Sequence, residues 1–485
     1  MDKLNLTLLT DFYQLTMMQG YNNSNKNDQV AVFDLFYRSN PSNSSYAISA
    51  GLDQVIDYIN NLNFSEEDLS YLKSLNVFTD DFLLYLKNFK FTGDIYAIPE
   101  GSVIFPREPL VRVKAPISQA QLIETAILNI INHQSLIATK ASRVCWAAHD
   151  DGVLEFGLRR AQGPDAGVYG ARAAMIGGCT GTSNVLTGKL FDVPVKGTHA
   201  HSWIMSFEDE LTAFRTYAEY FSDACILLVD TYDTLKSGVP NAIKVFDELK
   251  EKGINSKLFG IRLDSGDLAY ISKEARILLD AAGYPDAIIS ASSDLDEYLI
   301  RDLKIQDAKI TLWGVGTNLI TSADCPAFGG VYKLAAEEIN NTIIPKIKIS
   351  ENVAKVTNPG IKKIYRIYNN HNKIKADLIT LEHEIIDETK TLTIFDPENT
   401  WKRMTLKAGE YTCKELLAPI FIDGKCVYKS PSVMEIRQYC QEQLSTLWPE
   451  SRRLTNPHVI PVDLSGELYD LKQSMIDSYM KPKKY

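Results

Sequence analysis

The sequence is poor in the features that mark exported, membrane-spanning or nucleic-acid-binding chains. No apolar run approaches the roughly 20 residues that a membrane helix needs. The start, MDKLNLTLLTDFYQLT, has no basic region followed by an apolar stretch and a small-residue cleavage site. A soluble, cytoplasmic protein is expected. Cysteines are sparse and dispersed, at 145, 179, 225, 325, 413, 426 and 440, without CxxC pairs, which argues against a zinc site or disulfide framework and predicts reduced thiols. The 7 histidines show no metal-ligand spacing, so no protein-held metal is expected. Positive charge is in deficit, with 51 Lys and Arg against 61 Asp and Glu and a net charge of -10. Sequence-independent binding to nucleic acid or acidic lipid needs concentrated cations and is excluded on this balance. An anionic substrate would need a locally basic pocket. Internal repeats and low-complexity tracts are also lacking.

What is present is the composition of a large α/β protein. At 485 residues, 45% hydrophobic and 23% charged, the chain exceeds what one core usually serves, and two or three structural units are expected. Residues 1–118 mix helical and strand-like patterns, among them FDLFYRSNP, IYAIPEGSVIF and LVRVKAP, and read as a small mixed α/β domain. A helix from Gln119 carries Leu122, Ile123, Ala126, Ile127, Ile130 and Ile131 at three- and four-residue spacing, a core-facing stripe. It opens a unit spanning 119–340. From about 190, short apolar runs alternate with amphipathic stretches: ILLVD before NAIKVFDELKEKG, LFGIRLD before LAYISKEARILLDAAG, AIISAS before DLDEYLIRDLK, then ITLWGVG. Such alternation predicts parallel strands with crossover helices. Residues 341–485 read as antiparallel strands around the turn NNHN plus a docking helix near LYDLKQSMIDSYM, partly completing the N-terminal domain.

Polar residues fall at the strand ends. DTYDT, RLDSGD, SASSD and GVGTN each follow a predicted strand, and in parallel α/β barrels those carboxyl ends form the active site. Four in succession indicate a shared site better than any one of them, since each alone is also an ordinary turn or cap. In GTHAHSW the two histidines, His199 and His201, stand two residues apart and would share a face if extended. Two readings stand: an imidazole nucleophile toward phosphorus, or a histidine satisfying a core hydrogen bond. EFGLRRAQGPDAG brings Phe156, Arg159 and Arg160 beside a glycine turn, suited to an anionic aromatic ligand but also to a solvated basic turn. GGCTGTSNVLTGKL fails the P-loop spacing, with Ser183 where glycine is required and Leu190 where Ser or Thr belongs. In RLDSGD, Arg262 and Asp264 share a strand face and Asp267 suits a helix cap, while GVGTNL, from Gly314, turns backbone amides toward a phosphate position.

In this order, TDFYQLTM, FGLRRAQGP, GTHAHS, DTYDT, RLDSGD, GVGTNL and GGVYKL resemble the nicotinate phosphoribosyltransferase family from Leu9 to about Arg366. The resemblance implies an irregular parallel α/β barrel joined to a mixed α/β sandwich domain built from N- and C-terminal segments. It also implies a homodimer with shared active sites. The implied reaction joins nicotinate to phosphoribosyl pyrophosphate with ATP hydrolysis and Mg²⁺, giving nicotinate mononucleotide and pyrophosphate in NAD biosynthesis. His201 then becomes the phosphorylated histidine and Asp264 the second catalytic residue. Tyr13 of the other subunit stacks on the pyridine opposite Phe156, with Arg159, Ser183, Thr198 and Arg262 around nicotinate. Asp230 faces the ribose, and Gly314, Gly316 and Thr317 hold phosphate. Serine at 183, where similar nicotinamide-using enzymes carry aspartate, favours the acid over the amide. Lys355, Lys362, Lys363 and Arg366 either reach the phosphates or form a solvated strand face. The alternatives are a nicotinamide phosphoribosyltransferase, a quinolinate-using relative, a sugar-phosphate barrel lyase or isomerase, and a non-catalytic nucleotide sensor.

Overall fold

The computed structural model describes residues 5–254, 258–351 and 355–480. The chain divides into two compact units, one of Met1–Leu136, Ala327–Pro431 and Gln438–Tyr485, the other of Ile137–Pro326 with Ser432–Arg437. The first division falls within the Glu124–Ala148 helix.

The second unit is a six-stranded sheet in the order Gly181–Thr182, Gly152–Glu155, Leu312–Val315, Ile288–Ala291, Phe259–Leu263, Cys225–Leu228. Every neighbouring pair is parallel. The strands are short and apolar because both faces are covered, as parallel sheets require: Val153, Leu227, Ile261, Ile289 and Trp313 are all buried. Crossover helices include Pro164–Ile176, Val239–Glu251, Leu268–Ala281 and Glu297–Ile305. Asp267, read as a helix cap, accepts from the Tyr270 amide; Asp296 likewise accepts from Tyr298 and Leu299, and Asn184, before the Val185–Phe191 helix, from Leu186 and Thr187. This is the expected α/β barrel, and it is irregular. Its end strands, Gly181–Thr182 and Cys225–Leu228, do not pair with each other.

The first unit is a mixed α/β sandwich domain drawing on both ends of the chain. Its seven-stranded sheet sets Val30–Tyr37 between Gly330–Ile339 and Val111–Pro116. A six-stranded sheet contains the hairpin Lys362–Asn369 and Ile374–Leu381, turning at Asn372 with a φ of 55°. The helical stripe read from Gln119 is two helices, Ile117–Leu122 and Glu124–Ala148, with Leu122, Ile123, Ala126 and Ile127 buried. The basic cluster expected at phosphates or solvent does neither at two of its positions. Lys362 is buried against Asp34 at 2.8 Å, and Arg366 is fully buried against Asp377. Both are internal ion pairs of this unit, where an unpaired charge would be costly. All seven cysteines are free thiols, and no helix among the described residues is long and apolar enough to cross a membrane.

Candidate active site

The polar strand ends of the barrel unit converge on Arg262. Its side chain leaves the Phe259–Leu263 strand, and its guanidinium is held from three sides. Nε donates to Ser292 Oγ at 3.0 Å, Nη1 to Thr198 Oγ1 at 3.1 Å and to the His199 carbonyl at 3.3 Å, and Nη2 to Asp264 Oδ1 at 3.4 Å. Register explains the first contact. Ser290 pairs with Arg262 across the parallel strands, so Ser292, two residues on, extends the same face beyond the strand end. Ser292 also donates to Asp264 Oδ1, fixing arginine and carboxylate as one assembly. The guanidinium carbon lies 5.9 Å from the centre of the half-buried Phe156 ring. A fixed fork of donors beside an aromatic face suits a flat anionic ligand.

Phe156 owes its position to a missing side chain. A Cβ on Gly314 would stand 2.7 Å from Phe156 Cδ2, and one on Gly157 would stand 2.5 Å from Ile320 and 2.8 Å from the Gly316 carbonyl. Glycine at these points lets the Gly152–Glu155 and Leu312–Val315 ends pack together. Beneath the ring, buried Glu155 accepts from the Gly157 amide and from Thr182 Oγ1, while its carbonyl accepts from Ser183 N at 3.0 Å. Burial pushes the Glu155 carboxyl above its ordinary pKa. Ser183 is half-buried at the end of the neighbouring strand.

The other carboxylates follow the neighbouring strands Phe259–Leu263 and Cys225–Leu228. Asp230 Oδ2 accepts from the Asp264 amide at 2.7 Å and from Ser265 Oγ at 2.8 Å. Its Oδ1 is buried with no protein partner among the described residues, leaving an acceptor for a ligand donor. His201 Nδ1 lies 3.1 Å from Thr231 Oγ1 and Nε2 lies 3.6 Å from Asp264 Oδ2. Gly316 and Thr317 begin the Thr317–Ile320 turn directly after the Leu312–Val315 strand.

The two histidines do not share a face, because the chain enters the His201–Met205 helix at the second of them. His199 turns inward. Its Nε2 accepts from the Leu228 amide at 3.3 Å and its ring meets Tyr217 edge-on at 4.6 Å. Burial lowers its pKa to about 4, so it stays neutral and structural. His201 keeps 39% side-chain exposure and is the one open to a ligand.

Of the residues singled out in the sequence, Phe156, Ser183, Thr198, His201, Asp230, Arg262, Asp264, Gly314, Gly316 and Thr317 all stand at or beside the barrel's carboxyl ends. Arg159 lies on the adjoining Leu158–Arg160 turn, exposed. Tyr13 belongs to the other unit, on the Phe12–Asn23 helix, and is exposed. Ser292, Thr231 and Glu155 were missed, although the motifs SASSD, DTYDT and EFGLRRAQGPDAG that contain them were noted. For Ser292 the polar strand end was the available signal, but only the register selects the second serine. No group of three or more metal-ligating side chains is gathered among the described residues.

Comparison with known proteins finds relatives along nearly the whole chain. Residues 8–132 match the nicotinate phosphoribosyltransferase N-terminal domain, 152–365 the nicotinate phosphoribosyltransferase family, and 361–472 the corresponding C-terminal domain. The chain is 48% identical over 473 residues to a nicotinate phosphoribosyltransferase of Bacillus subtilis, covering 97% of this chain and 95% of the relative. It is 36% identical over 535 residues to one of Caenorhabditis elegans, covering 98% and 94%. The crystal structure of human nicotinic acid phosphoribosyltransferase superposes with a TM-score of 0.83 at 29% identity, covering 96% of this chain and 100% of that one. The site just described is therefore that of a chain belonging to the nicotinate phosphoribosyltransferase family.

Proposed function

We propose that this chain is an ATP-coupled nicotinate phosphoribosyltransferase, acting in the cytoplasm at the entry to NAD synthesis. The observation that carries the reading is the fixed Arg262 guanidinium beside the Phe156 ring, with the half-buried Ser183 following the strand next to that of Glu155. This pocket has a flat aromatic wall, a cation and a neutral hydroxyl, and nicotinate presents a flat ring and a carboxylate. Arg159 adds a second cation at the mouth. In the reaction the pyridine nitrogen attacks the anomeric carbon of phosphoribosyl pyrophosphate, the bond to the pyrophosphate oxygen breaks, and pyrophosphate leaves with the electron pair. Arg262 and Phe156 align the ring. Asp230 and Asp264 accept ribose hydroxyls, and the amides after Val315, at Gly316 and Thr317, face the 5′-phosphate.

Mg²⁺ fits this donor set. The unpartnered Asp230 Oδ1 and the partly exposed Asp264 carboxylate offer hard oxygen ligands at adjacent strand ends. When bound it would neutralise diphosphate charge. ATP enters through His201, whose ring nitrogen would take the γ-phosphoryl group as ADP leaves, with later hydrolysis releasing phosphate. The exposed Tyr13 and Phe12 support a homodimer in which Tyr13 of a second copy closes the pyridine pocket.

Purified protein given phosphoribosyl pyrophosphate, Mg²⁺ and ATP is expected to consume nicotinate at least about 100-fold more efficiently than nicotinamide. Ser183→Asp should reverse much of that preference, because an ionised carboxylate repels the acid and accepts from the amide. Equal use of the two pyridines by the natural protein would overturn the acid assignment. Absence of any turnover, with ligand still bound, would favour a sensor. Gly314→Ala should displace the Phe156 ring and lower kcat/KM for nicotinate by about 10- to 100-fold. Its melting temperature, compared in parallel, separates this effect from unfolding.

A further inference from the structure

The mixed α/β unit contains a cavity of about 660 Å³ that shares no residue with the strand-end site. That volume lies within the range of small-molecule pockets. Four cations line it, and two of them are internally paired. Lys362 bonds Asp34 at 2.8 Å, and Arg107 bonds Glu398 at 2.5 Å. The other two, Lys333 and Lys472, have no carboxylate within 4.0 Å among the described residues. Lys333 Nζ donates to the Tyr332 carbonyl at 2.7 Å, and Lys472 Nζ to Asn358 Oδ1 at 2.9 Å.

The cavity lining carries Arg107, Lys333, Lys362 and Lys472 against the carboxylates Asp34 and Glu398, a net excess of positive charge in one concave, partly apolar space, where surplus charge is costly. Burial lowers the pKa of Lys333 and of Lys472, that of Lys472 to about 8, with the charges of Arg107 and Lys362 adding to the effect there and Glu398 opposing it, as Glu124 does at Lys333. The rest of the wall is partly apolar, with Phe36, Leu334 and Ile476 contributing.

We infer that this cavity is a binding site for a small phosphate monoester with an apolar or aromatic body. The charge count selects the head group: a monoester carries close to two negative charges at neutral pH, which matches the excess of four lining cations over two lining carboxylates, whereas a monocarboxylate leaves part of it unmet. The apolar wall selects an organic ester over inorganic phosphate.

The test is calorimetric titration of the full-length protein with phenyl phosphate, inorganic phosphate and phenol. Phenyl phosphate is expected to bind more tightly than inorganic phosphate, and phenol not at all. In Lys333→Met/Lys472→Met the affinity for phenyl phosphate should fall at least about tenfold, since charge-assisted contacts to the ligand are removed. Turnover of nicotinate should be unaffected. Ile476→Trp keeps both lysines but fills the cavity, and should weaken phenyl phosphate similarly. It thereby covers the case in which the double variant fails to fold. Unchanged affinity in both variants would place the probe elsewhere and overturn the assignment. So would equal affinity of the natural protein for inorganic and phenyl phosphate, or no binding of phenyl phosphate at millimolar concentration.

Discussion

Arg262→Ala is expected to lower kcat/KM for nicotinate by about 1,000-fold, the scale seen when a preorganised charged donor is removed from a water-excluded site. The size follows from how the group is held. Its guanidinium makes hydrogen bonds to Ser292, Thr198, the His199 carbonyl and Asp264, and its side chain is only 19% exposed. Deleting it removes the cation and also leaves Asp264, Ser292 and Thr198 without the group that orders them. Arg262→Lys should recover little, because one ammonium cannot span contacts that a planar fork reaches from separate nitrogens. Steady-state kinetics with nicotinate and phosphoribosyl pyrophosphate varied in turn should show the defect in both kcat and the nicotinate KM. An alanine variant with the natural kcat/KM would remove Arg262 from the site's chemistry.

The second large effect is on energy coupling. His201→Ala is expected to abolish stimulation by ATP while leaving slow, uncoupled synthesis of nicotinate mononucleotide. His201 is the exposed member of the pair, positioned between the Thr231 hydroxyl and the Asp264 carboxylate. Both neighbours can orient an imidazole for attack on phosphorus. The measurement is release of ADP per mononucleotide formed, together with acid-labile phosphate on the protein after incubation with labelled ATP. The variant should show neither above background. Retention of labelled phosphate on the alanine variant would move the phosphorylated group elsewhere. His199→Asn serves as the contrast: that ring is a neutral internal acceptor for the Leu228 amide, so its loss should lower the melting temperature yet preserve labelling.

The sequence displayed the barrel most clearly where local physics and tertiary structure agree. Apolar runs such as ILLV and LFGIRL fit strands covered on both faces, and Asp267 caps the helix that follows the second of them. The polar strand ends could be read as one site because parallel connectivity sends every carboxyl end the same way. Legibility stopped where a residue's role depends on a distant partner. Lys362 and Arg366 looked like a basic surface, and only the fold brings Asp34 and Asp377 against them. Ser292 needed the register of Ile288–Ala291 against Phe259–Leu263. The two-residue spacing of His199 and His201 suggested a common face, but a helix start between them rotated the second away. Tyr13 could be singled out only through family resemblance, since nothing in its own surroundings marks an exposed aromatic as a ligand contact.

Glu155 has a consequence for anyone redesigning the pyridine pocket. Its carboxylate ties the turn that carries Phe156 to Thr182, and its carbonyl holds the amide of Ser183. The Phe156 and Ser183 positions therefore share one anchor, so in the proposed pocket the stacking wall and the wall facing the ring substituent would not be tunable as independent parts. Substitutions at Thr182 or Ser183 meant to admit a new pyridine would be transmitted to the stacking surface. Libraries that vary residues 155, 156, 182 and 183 together should yield altered specificities that one-at-a-time substitution at the same positions does not reach.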